Sequence, residues 1–178
     1  MKLTLTGTHG TGKTTILEEC KKILPSQYYF STNITRRLIE LGVPINESGE
    51  DNTQRTIMSI HLKNLQRFDF IADRSVLDCF VYTWHLFDHN KVSADVYKEQ
   101  LALIQDRVFE QYDAIFYLKP EFELHNDGVR SVSEDFHSDI AERFEYVIKQ
   151  FKIPVYRLTG SVYDRMQQLM GILDSIQK

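Results

Sequence analysis

A chain of 178 residues, 42% hydrophobic and 26% charged, is sized for one globular domain with a substantial core and is short for two. Its formal net charge of −4 excludes a general basic surface for nucleic acid and leaves only local basic clusters. The two cysteines, Cys20 and Cys79, form no CxxC pair, which excludes a zinc site or disulfide framework of the usual spacing; both fall in apolar helical patterns, as small buried residues of a reduced compartment do.

The N-terminal MKLTLTGTHG lacks the long apolar region of a signal peptide, and no later run could span a bilayer, so the expected location is cytoplasmic, with no membrane partner. Short β-rich runs alternate with longer helical ones, the pattern of a parallel sheet flanked by helices. Lys2 to Thr6 reads as the first strand. A helix follows with Ile16, Leu17, Cys20, Ile23 and Leu24 on its apolar positions, closed by Pro25. Tyr28 to Thr32 is a second short strand, ITRRLIELG a helix ending at Gly42, and VPINESGEDN a loop. TQRTIMSIHLKNLQR reads as a helix and Phe68 to Asp73 as the third strand. Leu77 to Phe87 and Val96 to Phe109 are helical, Asp113 to Lys119 is the fourth strand, and Pro120 ends it. The segment 121–133 is polar and irregular. Asp135 to Phe151 is an amphipathic helix, IPVYRL a fifth strand and SVYDRMQQLMGIL a closing helix. With no internal repeat, low-complexity tract or linker, residues 1–178 are expected to form one α/β domain.

Gly7-Thr8-His9-Gly10-Thr11-Gly12-Lys13-Thr14 fits GxxxxGK[ST] at every position, with an apolar strand before it and an amphipathic helix after it. Glycines open backbone angles closed to other residues, so such a loop can wrap an anion with its N–H groups, and the following helix adds a partial positive charge. Lys13 would reach the β- and γ-phosphates and the Thr14 hydroxyl would hold Mg²⁺. The stretch Gly7, Thr8, His9, Gly10, Thr11, Gly12, Lys13, Thr14 and Thr15 is therefore the expected ATP-binding segment. His9 and Thr11 are spacers in this pattern, and only their backbones are assigned a role.

The third strand ends FIADRSVLD. A remodelling ATPase usually ends this strand with two acids, the second polarising water; here Arg74 follows Asp73, and a cation at that mouth suits a second anionic or polyhydroxyl substrate. No Asn-Lys-x-Asp stretch follows a later strand, which argues against a guanine-specific switch protein.

ADRS at a strand end resembles the Asp-Arg-(Ser/Tyr/Phe) signature of small P-loop kinases, the thymidylate-kinase and deoxynucleoside-kinase group. The wider chain, through GTHGTGKTT, TRRLIELG, DRSVLD, YDAIFYL, DGVRS, ERF and IPVYRLTGS in order, resembles the ribosylnicotinamide-kinase-like P-loop proteins common in bacteria and their phages, which are AAA-type ATP-binding domain proteins. The phosphate loop and DRS are superfamily-wide, whereas DGVRS is narrower. The resemblance implies an α/β P-loop NTPase fold: a five-stranded parallel sheet sandwiched by helices, with a lid at about 121–133. It makes Asp73 the acceptor-activating or Mg²⁺-organising carboxylate, Arg74 and Arg36 acceptor or phosphate contacts, and Arg130 the lid cation that closes on the phosphates, with Arg143 a further candidate of that kind. Many relatives carry a Glu after the second strand that can act as base. Asn33 stands at the corresponding place, and an amide takes no proton at neutral pH.

Other features are open to two readings. FVYTWHLF is spaced as a core stripe, with an aromatic stacking face as the alternative. Asp78 can brace Arg74 from four residues on, or stand in solvent. LTGS after the last strand is either a passage over adenine or a plain turn capped by Ser161. His61, His85, His89, His125 and His137 show no metal-ligand spacing. The expected activity is transfer of the ATP γ-phosphoryl, with Mg²⁺, to a small nucleoside, nucleotide or ribosylnicotinamide-like acceptor. A nucleic-acid hydroxyl is the second acceptor reading, with KNLQRFDF and Arg36-Arg37 as its local groove, and a regulatory ATPase without a small acceptor is the third. Nothing in the sequence decides for or against a homodimer.

Overall fold

In the computed structural model, which describes residues 1–120 and 134–176, β1 (Lys2–Thr6) shows why the sheet forms. Leu3 and Leu5 are fully buried on one face, and Thr4 and Thr6, equally buried, point to the other. A parallel strand covered by helices on both faces must bury every side chain, and the two threonines meet that demand by donating hydrogen bonds, Thr4 to the Arg74 carbonyl and Thr6 to the Asp78 carboxylate. Four more strands run parallel to β1: β2 (Tyr29–Ser31), β3 (Phe70–Asp73), β4 (Ala114–Leu118) and β5 (Tyr156–Leu158), in the order β2-β3-β1-β4-β5. Leu3 pairs with Ile71 on one side and with Ala114 on the other.

Each face of the sheet has its own core. On one, α1 (Lys13–Ile23) and α7 (Val162–Ile176) bury Ile16, Leu17, Cys20, Leu169 and Leu173 against Leu3, Leu5 and Phe116. On the other, α3 (Asp51–Asn64), α4 (Val76–Asp88), α5 (Ala94–Gln105) and α6 (Glu134–Gln150) enclose Phe70, Val81, Ile115, Ile140 and Phe144. The remaining helix, α2 (Ile34–Glu40), follows β2. Strand order reverses at β1, since β3 lies on one side of it and β4 on the other, and open parallel sheets bind ligands beyond the carboxyl ends of their strands at such a point.

The expected elements are all present, and several boundaries move. The loop expected at VPINESGEDN contains a 3₁₀ turn at Asn46–Ser48, and α3 already starts at Asp51. The third strand begins at Phe70, because Phe68 is 90% exposed and the Asp69 carboxylate is turned to the N-terminal ammonium. The helix expected to reach Phe109 stops at Gln105, where Arg107 takes a positive φ of 58° before a second 3₁₀ turn, Val108–Gln111. The fifth strand keeps only Tyr156–Leu158 of IPVYRL. FVYTWHLF is largely core, with Phe80, Val81, Tyr82 and Leu86 buried. Cys20 and Cys79 are buried and unbridged, and burial, with Glu19 nearby, pushes the Cys20 thiol up to about 12. Among the described residues no helix is long and apolar enough to cross a membrane.

Candidate active site

The turn from β1 into α1 closes around a cavity because three of its residues adopt positive φ: Gly7 at 132°, Gly10 at 74° and Gly12 at 87°. Gly12 is the N-cap of α1, so the unpaired N–H groups of the first helical turn open at this spot. Lys13 curls back under the loop. Its Nζ donates to the carbonyls of Gly7 (2.8 Å) and Thr8 (2.5 Å) and to Thr11 Oγ1 (3.1 Å). A buried ammonium held by loop oxygens at a helix N-terminus can meet an anion that enters the loop.

Across the cleft stands the end of β3. The Thr14 hydroxyl donates to Asp73 Oδ2 at 2.8 Å, joining residues that lie 59 positions apart in the chain. Arg74 follows with φ 86°, a strained backbone for a side chain other than Gly, held by its N–H to the Leu5 carbonyl (2.9 Å) and by Thr4 Oγ1 donating to its carbonyl (3.0 Å). Ser75 and Asp78 then close a capping box that starts α4. Asp78 Oδ1 lies 3.6 Å from Arg74 NH1, so of the two readings open for Asp78 the structure has the brace rather than the solvated carboxylate. Burial works against the Arg74 charge, but Tyr82, Asp78 and Asp73 more than offset it and hold the guanidinium above its ordinary range. Burial likewise raises the Asp78 carboxyl, against the pull of Arg74 and Lys13.

The cleft, about 710 Å³ with its open mouth, is lined by the loop from His9 to Thr14 and by Asn33, Arg36, Asp73 and Arg74. Asn33 has φ 59°, in the left-handed region that Asn and Asp enter several-fold more readily than most residues, so the backbone here disfavours the Glu of the resembling kinases. Thr35, Asn46 and Arg74 also line an adjoining open recess between α3 and α4, about 400 Å³ with the solvent at its mouth, whose walls include Gln54, Ile57, His61 and Tyr82. His61 is fully enclosed. Burial first, then Arg74, lowers its pKa to about 4, so it faces this recess as neutral imidazole.

Lys13, Thr14, Asp73, Arg74 and Arg36 thus converge on one cleft. Thr15 is exposed and outside the lining. Arg143 also stands elsewhere, donating to Asp139 (2.7 Å) and Asp88 (2.8 Å) and lying over Trp84, an arrangement that ties α6 to α4. Arg130 and the expected lid at 121–133 lie outside the described residues. Ser161 caps α7, accepting from the Asp164 N–H at 3.2 Å, as the plain-turn reading of LTGS has it.

Two residues of the site were not legible as such. The His9 ring is buried and packed rather than a mere spacer. Arg165 of α7 is 1% exposed and donates from NH1 to the Thr11 carbonyl at 2.6 Å. The signal for Arg165 was present: it falls on the stripe of Leu169 and Leu173, where a cation is out of place unless paired. Arg165→Met, which keeps the stem and removes the donor, is expected to weaken nucleotide binding about tenfold and to destabilise the fold by about 1–3 kcal/mol. Calorimetric titration with ATP and a thermal melt check both.

A model of the AAA domain family matches residues 2–165. No curated protein sequence matches the chain. Among solved structures the chain is similar to deoxyadenosine kinase from M. mycoides with the products dCMP and a flexible dCDP bound, at 21% identity and a TM-score of 0.69, covering 99% of this chain and 100% of that one. It is similar to the NadR protein in complex with NR, at 15% identity and a TM-score of 0.73, covering 99% of this chain and 51% of that one. YorR from Bacillus subtilis, in complex with phosphorylated GDP, aligns at 17% identity and a TM-score of 0.62, covering 97% of this chain and 95% of that one. At these identities the likeness establishes a shared P-loop α/β fold.

Proposed function

The chain belongs to the AAA domain family, and from that premise we propose that it is a phosphotransferase, moving the γ-phosphoryl of ATP to a small nucleoside, nucleotide or ribosylnicotinamide-like acceptor. The observation that carries this reading is the meeting of Thr14 with Asp73 at the mouth of the phosphate loop, beside Arg74 and the adjoining recess. A donor site alone would suffice for hydrolysis. A second recess sharing a buried-side cation with the first is what an acceptor requires. The nucleosides and nucleotides bound by the similar structures support the same class of acceptor.

Within this reading the loop amides and Lys13 hold the donor phosphates, and Arg74 and Arg36 face the acceptor. The Thr14 hydroxyl and the Asp73 carboxylate are hard oxygen donors that fit Mg²⁺ arriving with phosphate oxygens. An ion held by these two oxygens would supply charge neutralisation on the transferred group. The protein's own contribution is positioning and electrostatics.

The test is transfer from γ-labelled ATP across nucleosides, nucleoside monophosphates, ribosylnicotinamide and DNA oligonucleotides. A labelled small acceptor supports the reading. Labelled oligonucleotide moves the acceptor to nucleic acid, and free phosphate indifferent to every acceptor makes the protein a regulatory ATPase. Asp73→Asn is expected to lower turnover at least about 100-fold. Recovery at high Mg²⁺ would mark Asp73 as the metal's organiser acting on an already ionised acceptor. No recovery would mark it as the base, since Asn33 cannot serve.

A further inference from the structure

Between the donor loop and Arg74 lie two buried aromatic groups with no role so far. His9 Nδ1 is 3.1 Å from the hydroxyl of Tyr82 on α4, against 3.5 Å from the Thr8 hydroxyl. On its other side Tyr82 carries Arg74, whose guanidinium carbon stands 4.9 Å from the ring centroid. His9 is itself wedged in place. Its ring stacks on Phe136 at 5.6 Å and meets His137 edge-on at 4.9 Å, and its carbonyl accepts from His137 Nε2 at 2.9 Å.

Hydrogen-bond polarity orders this chain of contacts. Arg74 meets the face of the Tyr82 ring, so the phenol hydroxyl is left to donate its proton to another partner. His9 Nδ1 is that acceptor when the ring proton sits on Nε2. The Arg74 side chain has several rotatable bonds, and its backbone φ of 86° sets only where they start. Asp78 restrains one end of the guanidinium at 3.6 Å, and the face of Tyr82 restrains its plane.

We propose that Tyr82 is a positioning residue: it fixes the guanidinium of Arg74 and, through His9, ties that cation to the phosphate loop. Donor and acceptor sites are then held at one separation by the 73-residue contact between His9 and Tyr82. Displacing a reacting group by about 1 Å is enough to lower turnover about 100-fold, so such a tie acts on rate rather than on donor affinity. The effect on turnover rests on the phosphotransferase reading. The tie itself is a property of the folded chain.

Tyr82→Phe keeps the ring and deletes the hydroxyl. It is expected to lower kcat about tenfold, leave the KM for ATP within about twofold and lower the thermal midpoint by only about 2–4 °C. Tyr82→Leu, which removes the platform as well, is expected to lose about 100-fold. Tyr82→Phe combined with His9→Ala is expected to be no slower than His9→Ala alone, because both delete one contact. Full kcat in Tyr82→Phe, or losses that multiply in the double variant, overturn the proposal. Imidazole ¹⁵N spectra test the tie without turnover: wild-type His9 should carry its proton on Nε2, and Tyr82→Phe should shift its Nδ1 resonance. An unchanged Nδ1 resonance overturns the tie even in an active enzyme, whereas an inactive wild type overturns only the functional reading.

Discussion

Lys13→Ala is expected to reduce phosphoryl transfer by at least about 1,000-fold while the protein stays folded. Lys13 is 5% exposed, and its ammonium is held by two loop carbonyls and a threonine hydroxyl, all within 3.1 Å. Lys13 and Thr11 line the open cleft, so the space the ammonium vacates is continuous with it and water can take its place. The penalty for stability is therefore small, because removing a desolvated charge offsets most of what its hydrogen bonds contribute. For transfer no substitute exists, since the charge must follow the phosphates into a transition state. The measurement is a labelled-phosphate assay paired with a thermal melt. Undiminished turnover would sink the phosphotransferase reading, and collapse of the melt would show that Lys13 serves the fold first.

Gly7→Ala is expected to have the largest effect on stability, on the order of 4 kcal/mol. A Cβ at Gly7 would stand 2.4 Å from the Leu118 carbonyl oxygen, and the φ of 132° is one that L side chains rarely adopt. Leu118 is a residue of the neighbouring β4, paired to β1, so the clash is with backbone that cannot turn aside. Because small domains are stable by only about 5–15 kcal/mol, the variant should unfold at a much lower denaturant concentration or fail to accumulate as soluble protein. Gly42→Ala is the control: its φ is 75°, but nothing lies within 4 Å of the added methyl, so it reports backbone strain without the clash. Equal effects at the two glycines would show that strain alone sets the cost.

The two experiments probe different kinds of information. The loop around Lys13 was readable because its chemistry is contiguous: eight successive residues carry the glycines, the lysine and the hydroxyl, and the strand and helix that frame them announce themselves by local periodicity. Asp73 and Arg74 were readable for the same reason, being adjacent at a strand end. Asn33 was readable as a departure from the resembling kinases. Its left-handed backbone, which disfavours a Glu at that place, was not.

By itself the sequence determined the number and kind of elements, the parallel sheet and the anion-binding loop, since each depends on residues within a few positions of one another. It left element ends loose, as at Phe68 and Arg107, where exposure and a positive φ stop a strand and a helix. Only the tertiary structure decided which distant side chains share the cleft. Thr14 meets Asp73 across 59 positions and Arg165 meets Thr11 across 154, whereas Arg143, equally basic, is spent on a helix–helix tie. Such pairings follow from strand order and helix docking, and these are set by packing of the whole core rather than by any local pattern.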